Sequence, residues 1–106
     1  MTVTLLALYK RPEGGDEGLR TFWQRYRDEH MPLIDKVPGL RGTKIWNVPK
    51  GYAGEDLVAV TEMYFDDQVA LDEAMASEEM RVAGKNLREI APGLLTLVAL
   101  EEPWSK

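Results

Sequence analysis

The chain has 106 residues, enough for one domain with one small core. Its composition is that of an ordinary globular protein, 44% hydrophobic and 29% charged, and its formal net charge of −5 works against binding to phosphate backbones. The absence of cysteine excludes disulfides, thiolate nucleophiles and Cys-ligated metal centres, and a lone histidine is too few imidazoles for an ordinary transition-metal site.

In chain order, Val3 to Tyr9 is a nearly unbroken apolar run, which predicts a strand covered on both faces. Glu13-Gly14-Gly15 reads as a turn and Asp16 as the N-cap of a helix, with Glu17 favoured by the helix dipole. In that helix Leu19, Phe22, Trp23, Tyr26 and His30 recur at three- and four-residue steps. Arg20, Arg25 and Arg27 alternate with acidic and amide side chains and read as its solvated face rather than a nucleic-acid patch. Pro32 disfavours helical geometry at Met31, so the helix is expected to stop near His30.

Pro38-Gly39 releases the chain into a second strand, Leu40 to Val48, and the loop Pro49 to Gly54 leads to a third, Leu57 to Phe65. Asp66 or Asp67 caps a short helix carrying Val69, Leu71, Ala74 and Met75. Ser77 starts another with Met80, Ala83, Leu87 and Ile90 on one side. Ala91-Pro92-Gly93 breaks it before a fourth strand, Leu94 to Leu100.

The order β-α-β-β-α-β predicts an α+β ferredoxin-like sandwich with an antiparallel sheet. One helix layer covers one sheet face, yet the strands are apolar on both, so a second copy of the chain is expected on the other face, giving a homodimeric α/β barrel. No apolar run is long enough to span a bilayer, and Met1 to Thr4 lacks the basic region of a signal peptide, so a cytoplasmic location is the default expectation. A small hydrophobic or aromatic molecule is the expected ligand, with neither nucleic acid nor membrane as partner.

The string Phe22-…-Tyr26-…-His30-Met31-Pro32-Leu33-…-Pro38-Gly39-Leu40 resembles the EthD family of dimeric α/β-barrel proteins, and Val60-Thr61-Glu62-Met63-Tyr64-Phe65-Asp66 fits the same pattern. The resemblance implies the fold over nearly the whole chain. For chemistry it implies a relationship to cofactor-free monooxygenases of aromatic polyketides, polyketide cyclases and muconolactone isomerases, all acting on small, flat, oxygenated molecules. It also implies a catalytic role at His30. A cysteine nucleophile of the methylmuconolactone isomerase matches Met63, so that nucleophile does not carry over.

Several side chains carry possible chemistry. His30 is suited to move a proton near neutral pH, or else it caps last-turn carbonyls and packs as an aromatic. Glu62 is the only charge inside an apolar strand: it either faces a pocket as an acid or base, or pairs with a cation. Tyr9, Trp46 and Tyr64 stand as candidates to hold a planar ligand, against core or dimer packing. Tyr26 lies on the helix stripe and reads first as core, with substrate binding as the alternative, its hydroxyl within reach of His30 one turn on. Trp104 reads as a staple of the C-terminus to its own subunit or to a second copy. An enzyme built on these groups works without metal or organic cofactor. The alternatives are a non-catalytic binding protein and a haem-handling barrel with His30 as the axial ligand.

Overall fold

The first strand of the computed structural model, which describes residues 2–102, is β1 (Val3–Lys10). Val3, Leu5, Ala7 and Tyr9 are buried on one face, while Thr4, Leu6 and Leu8 are half-buried on the other. A strand apolar on both faces belongs inside a sheet, and β1 takes that place. With β2 (Gly42–Asn47), β3 (Leu57–Phe65) and β4 (Leu95–Glu101) it forms a four-stranded sheet in the order β2-β3-β1-β4. Every pairing is antiparallel. Register sets Val3 against Phe65, Leu5 against Met63 and Ala7 against Thr61 on the inner face.

Helix α1 (Gly15–Arg25) starts two residues earlier than Asp16 as N-cap would dictate. Gly14, at φ 94°, is its N-cap, and Asp16 and Glu17 fall in the first turn, where they still favour the dipole. A Cβ at Gly18 would stand 1.8 Å from the Glu13 carbonyl oxygen, so this tight entry demands glycine.

The expected stop at His30 does not occur. The chain runs on through a π-turn (Tyr26–His30) into α2 (Met31–Ile34) with Pro32 inside its first turn. Proline has no N–H for the carbonyl of Asp28 and its ring crowds that carbonyl. The wider π-turn opens the spacing, and the Met31 N–H bonds the Tyr26 carbonyl, five residues back. The helix therefore continues past Pro32 through a wider turn that accommodates the proline, instead of ending there.

Helix α3 (Gln68–Met75) is capped by Asp67, which accepts from the Ala70 N–H at 2.8 Å. Helix α4 (Glu78–Ile90) is capped by Ser77, accepting from the Met80 N–H at 3.1 Å. The helices cover one face of the sheet with a core of Phe22, Tyr26, Ile34, Leu71, Ala83 and Leu87. The other face carries Leu6, Leu8, Val60, Val98 and Leu100 beside Trp46, Glu62 and Tyr64, and nothing within the described residues covers it. No helix among the described residues is long and apolar enough to cross a membrane. Trp104 lies outside the described residues.

Candidate functional site

Between the inner face of the sheet and α4 lies a cavity of about 420 Å³. Its floor is Leu5, Ala7 and Tyr9 of β1 with Met63 of β3, and its far wall is built from α4 residues around Ala83, Gly84 and Leu87. Two small residues in the middle of the α4 stripe leave the space that a Leu or Phe would fill. The rim residues Met75 and Leu97 are large and apolar yet more than two-fifths exposed, so the cavity opens to solvent.

His30 lines this cavity and is only 3% exposed. Its ring packs 5.1 Å from that of Tyr26, one turn back. Arg25 grips Glu29 through two hydrogen bonds, of 2.9 and 3.0 Å. Asn86 Nδ2 donates to Glu29 Oε1 at 3.3 Å, which turns the amide oxygen toward His30. Asn86 Oδ1 sits 3.2 Å from His30 Nδ1 and has no proton to give, so Nδ1–H is the donor. In the neutral ring Nε2 is then the basic nitrogen, and it has no hydrogen-bond partner among the described residues. It is not walled off from open space either, since no buried side-chain nitrogen or oxygen in these residues is unpartnered. Burial pushes the imidazole pKa below its ordinary value, and the Asn86 bond offsets part of that. At neutral pH the cavity thus holds an oriented, uncharged base.

The other candidate residues separate into two groups on opposite faces of the sheet. Tyr9 borders the cavity, but its hydroxyl is engaged with Tyr26 at 3.0 Å. Tyr26 is buried away from the cavity, and its hydroxyl continues to Thr61 Oγ1 at 2.7 Å, so it does not reach His30. Burial raises the pKa of both phenols, Tyr9 the more strongly, and keeps them neutral. Glu62, Trp46 and Tyr64 lie on the uncovered face, where Glu62 accepts from the Trp46 indole N–H and from the Tyr64 hydroxyl at 3.1 Å. Glu62 therefore neither faces the cavity nor forms an ion pair among the described residues: two neutral donors hold its carboxylate. Alternation along β3 forces this, because Thr61 and Met63 point inward and their neighbours point out.

Sequence reasoning missed Asn86, Glu29 and Arg25 as supports of His30, and Gly84 as part of the wall. The signal within reach was Ala83-Gly84 inside an otherwise bulky stripe; nothing local marks Asn86. No cluster of three or more His, Cys, Asp or Glu side chains suited to a metal ion occurs among the described residues.

The EthD domain profile matches residues 16–86. A crystal structure of an ethyl tert-butyl ether D (EthD) family protein from Bacillus halodurans is 38% identical, with a TM-score of 0.85, covering 96% of this chain and 99% of that one. The chain belongs to the EthD family. Two more distant structures share the EthD chain's fold. One is a dimeric ferredoxin-like protein of unknown function from Bacteroides fragilis, 20% identical at TM-score 0.68, with 95% and 96% of the chains covered. The other is SnoaB, a cofactor-independent oxygenase from Streptomyces nogalater, 13% identical at TM-score 0.61, with 98% and 95% covered. No curated protein matches this EthD chain.

Proposed function

We propose that this EthD protein is a homodimer that binds a small, largely apolar, oxygenated metabolite in the cavity beside α4 and moves a proton on it with His30 Nε2. The observation that carries the proposal is the neutral imidazole at the inner end of an apolar cavity, its Nδ1–H held by the Asn86–Glu29–Arg25 chain. A general base needs an available lone pair and a fixed ring: burial keeps the imidazole neutral, which leaves a lone pair on Nε2, and the Asn86 bond at Nδ1 fixes the ring. Taking a proton from a phenol or an activated carbon leaves an electron-rich anion. Oxygen addition, ring closure and double-bond migration all start from such an anion, so one base serves each. Among these, cofactor-independent oxygenation is the first to test, as SnoaB shares the fold. Tyr9 forms part of the cavity wall, and Glu62, Trp46 and Tyr64 belong to the dimer face rather than to the chemistry.

A panel of phenolic and lactone compounds is screened by thermal shift, and hits are assayed for oxygen uptake and for product mass. In His30→Gln, hits should still bind while turnover falls by about a hundredfold or more. Equal turnover in the variant would remove His30 from the chemistry, and a panel without any binder would remove the ligand site.

A further inference from the structure

The cavity's electrostatics go beyond its apolar lining. None of the residues that line it carries a carboxylate, although the chain as a whole has 18 acidic side chains against 13 basic ones. Its ionisable lining is Arg81, Arg88, His30 and the neutral Tyr9. Exposure orders these groups: His30 is buried at the inner end, and both arginines are exposed at the rim. Arg81 is already paired with Glu78 on the same helix. Arg88 has no ion-pair or side-chain hydrogen-bond partner among the described residues. Its guanidinium folds back along α4 beside Gly84, where a Cβ would meet Nη1 at 3.6 Å, an ordinary contact distance, which sets the charge against the cavity wall.

From this placement we infer that the ligand is a small apolar acid, whose carboxylate is held at the rim by Arg88, assisted by Arg81, while its apolar body extends inward toward His30. The inference rests on the ligand site proposed above and specifies the chemical class that site takes. A planar guanidinium grips a carboxylate through two parallel N–H···O bonds, which orients a flat ligand as well as attracting it. A rim cation without a partner among the described residues, Arg88, in a net acidic protein also concentrates anions there against the overall field. An ester or amide of the same shape keeps the apolar contacts and loses the charge-assisted bonds.

The test compares matched acids and amides of rising size (benzoate with benzamide, naphthoate with naphthamide, anthracene carboxylate with its amide) by NMR of the methyl groups of Leu5, Met63 and Met80. Each is run with the intact protein, Arg88→Gln, Arg81→Gln and the double variant. The best-fitting acid should bind about tenfold more tightly than its amide at low salt. That preference should shrink on adding salt and largely disappear in Arg88→Gln, with amide binding unchanged. Unchanged amide binding also shows that the variant is folded. If amides bind as well as acids, or the preference survives in the double variant, the charge assignment is wrong and the ligand site stands. If neither series perturbs the cavity methyls at millimolar concentration, the ligand site and this inference fall together.

Discussion

At His30 two effects oppose each other: burial disfavours the imidazolium and the Asn86 carbonyl favours it, with burial the larger. The folded pKa therefore lies below the unfolded value of 6.5. As pH falls through 6.5 the unfolded chain takes up this proton before the folded one does, so stability drops on the acid side and is unaffected above it. The slope is at most about 1.4 kcal/mol per pH unit. Urea unfolding at pH 7, 6 and 5.5 should show this fall in the intact protein, and a flatter profile in His30→Gln. Asn86→Ala removes the favourable bond, so the His30 pKa should fall further, as followed by NMR titration of the ring protons. Next to it, the Tyr9–Tyr26–Thr61 hydroxyl chain has Tyr26 at its centre. Tyr26→Phe strips a partner from both neighbours and should cost about 2–3 kcal/mol, against about 1 kcal/mol for Tyr9→Phe, where Tyr26 keeps Thr61. Equal costs in denaturant melts would mean that the chain is not one connected unit.

Among the elements, the π-turn at Tyr26–His30 separates what could be read from the sequence from what could not. The strands, the caps at Asp67 and Ser77 and the break at Pro92 were legible because each depends on a few adjacent residues. The rule for Pro32 is equally local, but it states only what an α-helix cannot accommodate. It is silent on the wider turn that accommodates proline, and that turn is favoured here by long-range packing of Phe22 and Tyr26 on Tyr9. The same distance effect hid Asn86, which meets His30 across 56 residues of chain. Alternation within β3 was readable, and it separates Glu62 from Met63; which face held the cavity was not, because that depends on where α4 lands. If packing rather than proline holds the π-turn, Pro32→Ala should change stability by less than about 1 kcal/mol. Deleting Asp28 is different. It removes one residue from the turn and rotates α1 by about 100° relative to α2, so it should abolish the cooperative unfolding transition. Retention of that transition would show that the turn has no fixed register.

For the molecule as a whole, the uncovered face of the sheet is the surface that the proposed dimer would bury. Leu6 is central on it, with Glu62 and Val98 as its cross-strand neighbours. Trp46, Val98 and Leu100 are large apolar residues left 38–47% exposed there. A contiguous apolar sheet face of this kind calls for a partner, and an identical face supplies one through a two-fold axis. The intact chain should therefore run as a dimer by light scattering. Leu6→Glu should run as a monomer of reduced stability, because it places two new charges across the two-fold interface. A monomeric intact chain would leave the apolar face unexplained and remove the dimer from the proposed function.

The indole of Trp46 gives that assembly an optical signature. Its N–H is tied to Glu62, but nearly half of its surface faces solvent in the single chain. Indole emission moves to longer wavelength in water and to shorter wavelength when water is excluded. Dilution should therefore redden the tryptophan spectrum with a concentration midpoint equal to the dimer dissociation constant. With Trp104 replaced by Phe in both proteins, Trp46→Phe should erase the concentration-dependent part, because the remaining Trp23 packs against Phe22 and Tyr26 in the helix layer, away from the sheet face that changes. The residue that marks the uncovered face can thus report, without any added label, when that face is covered.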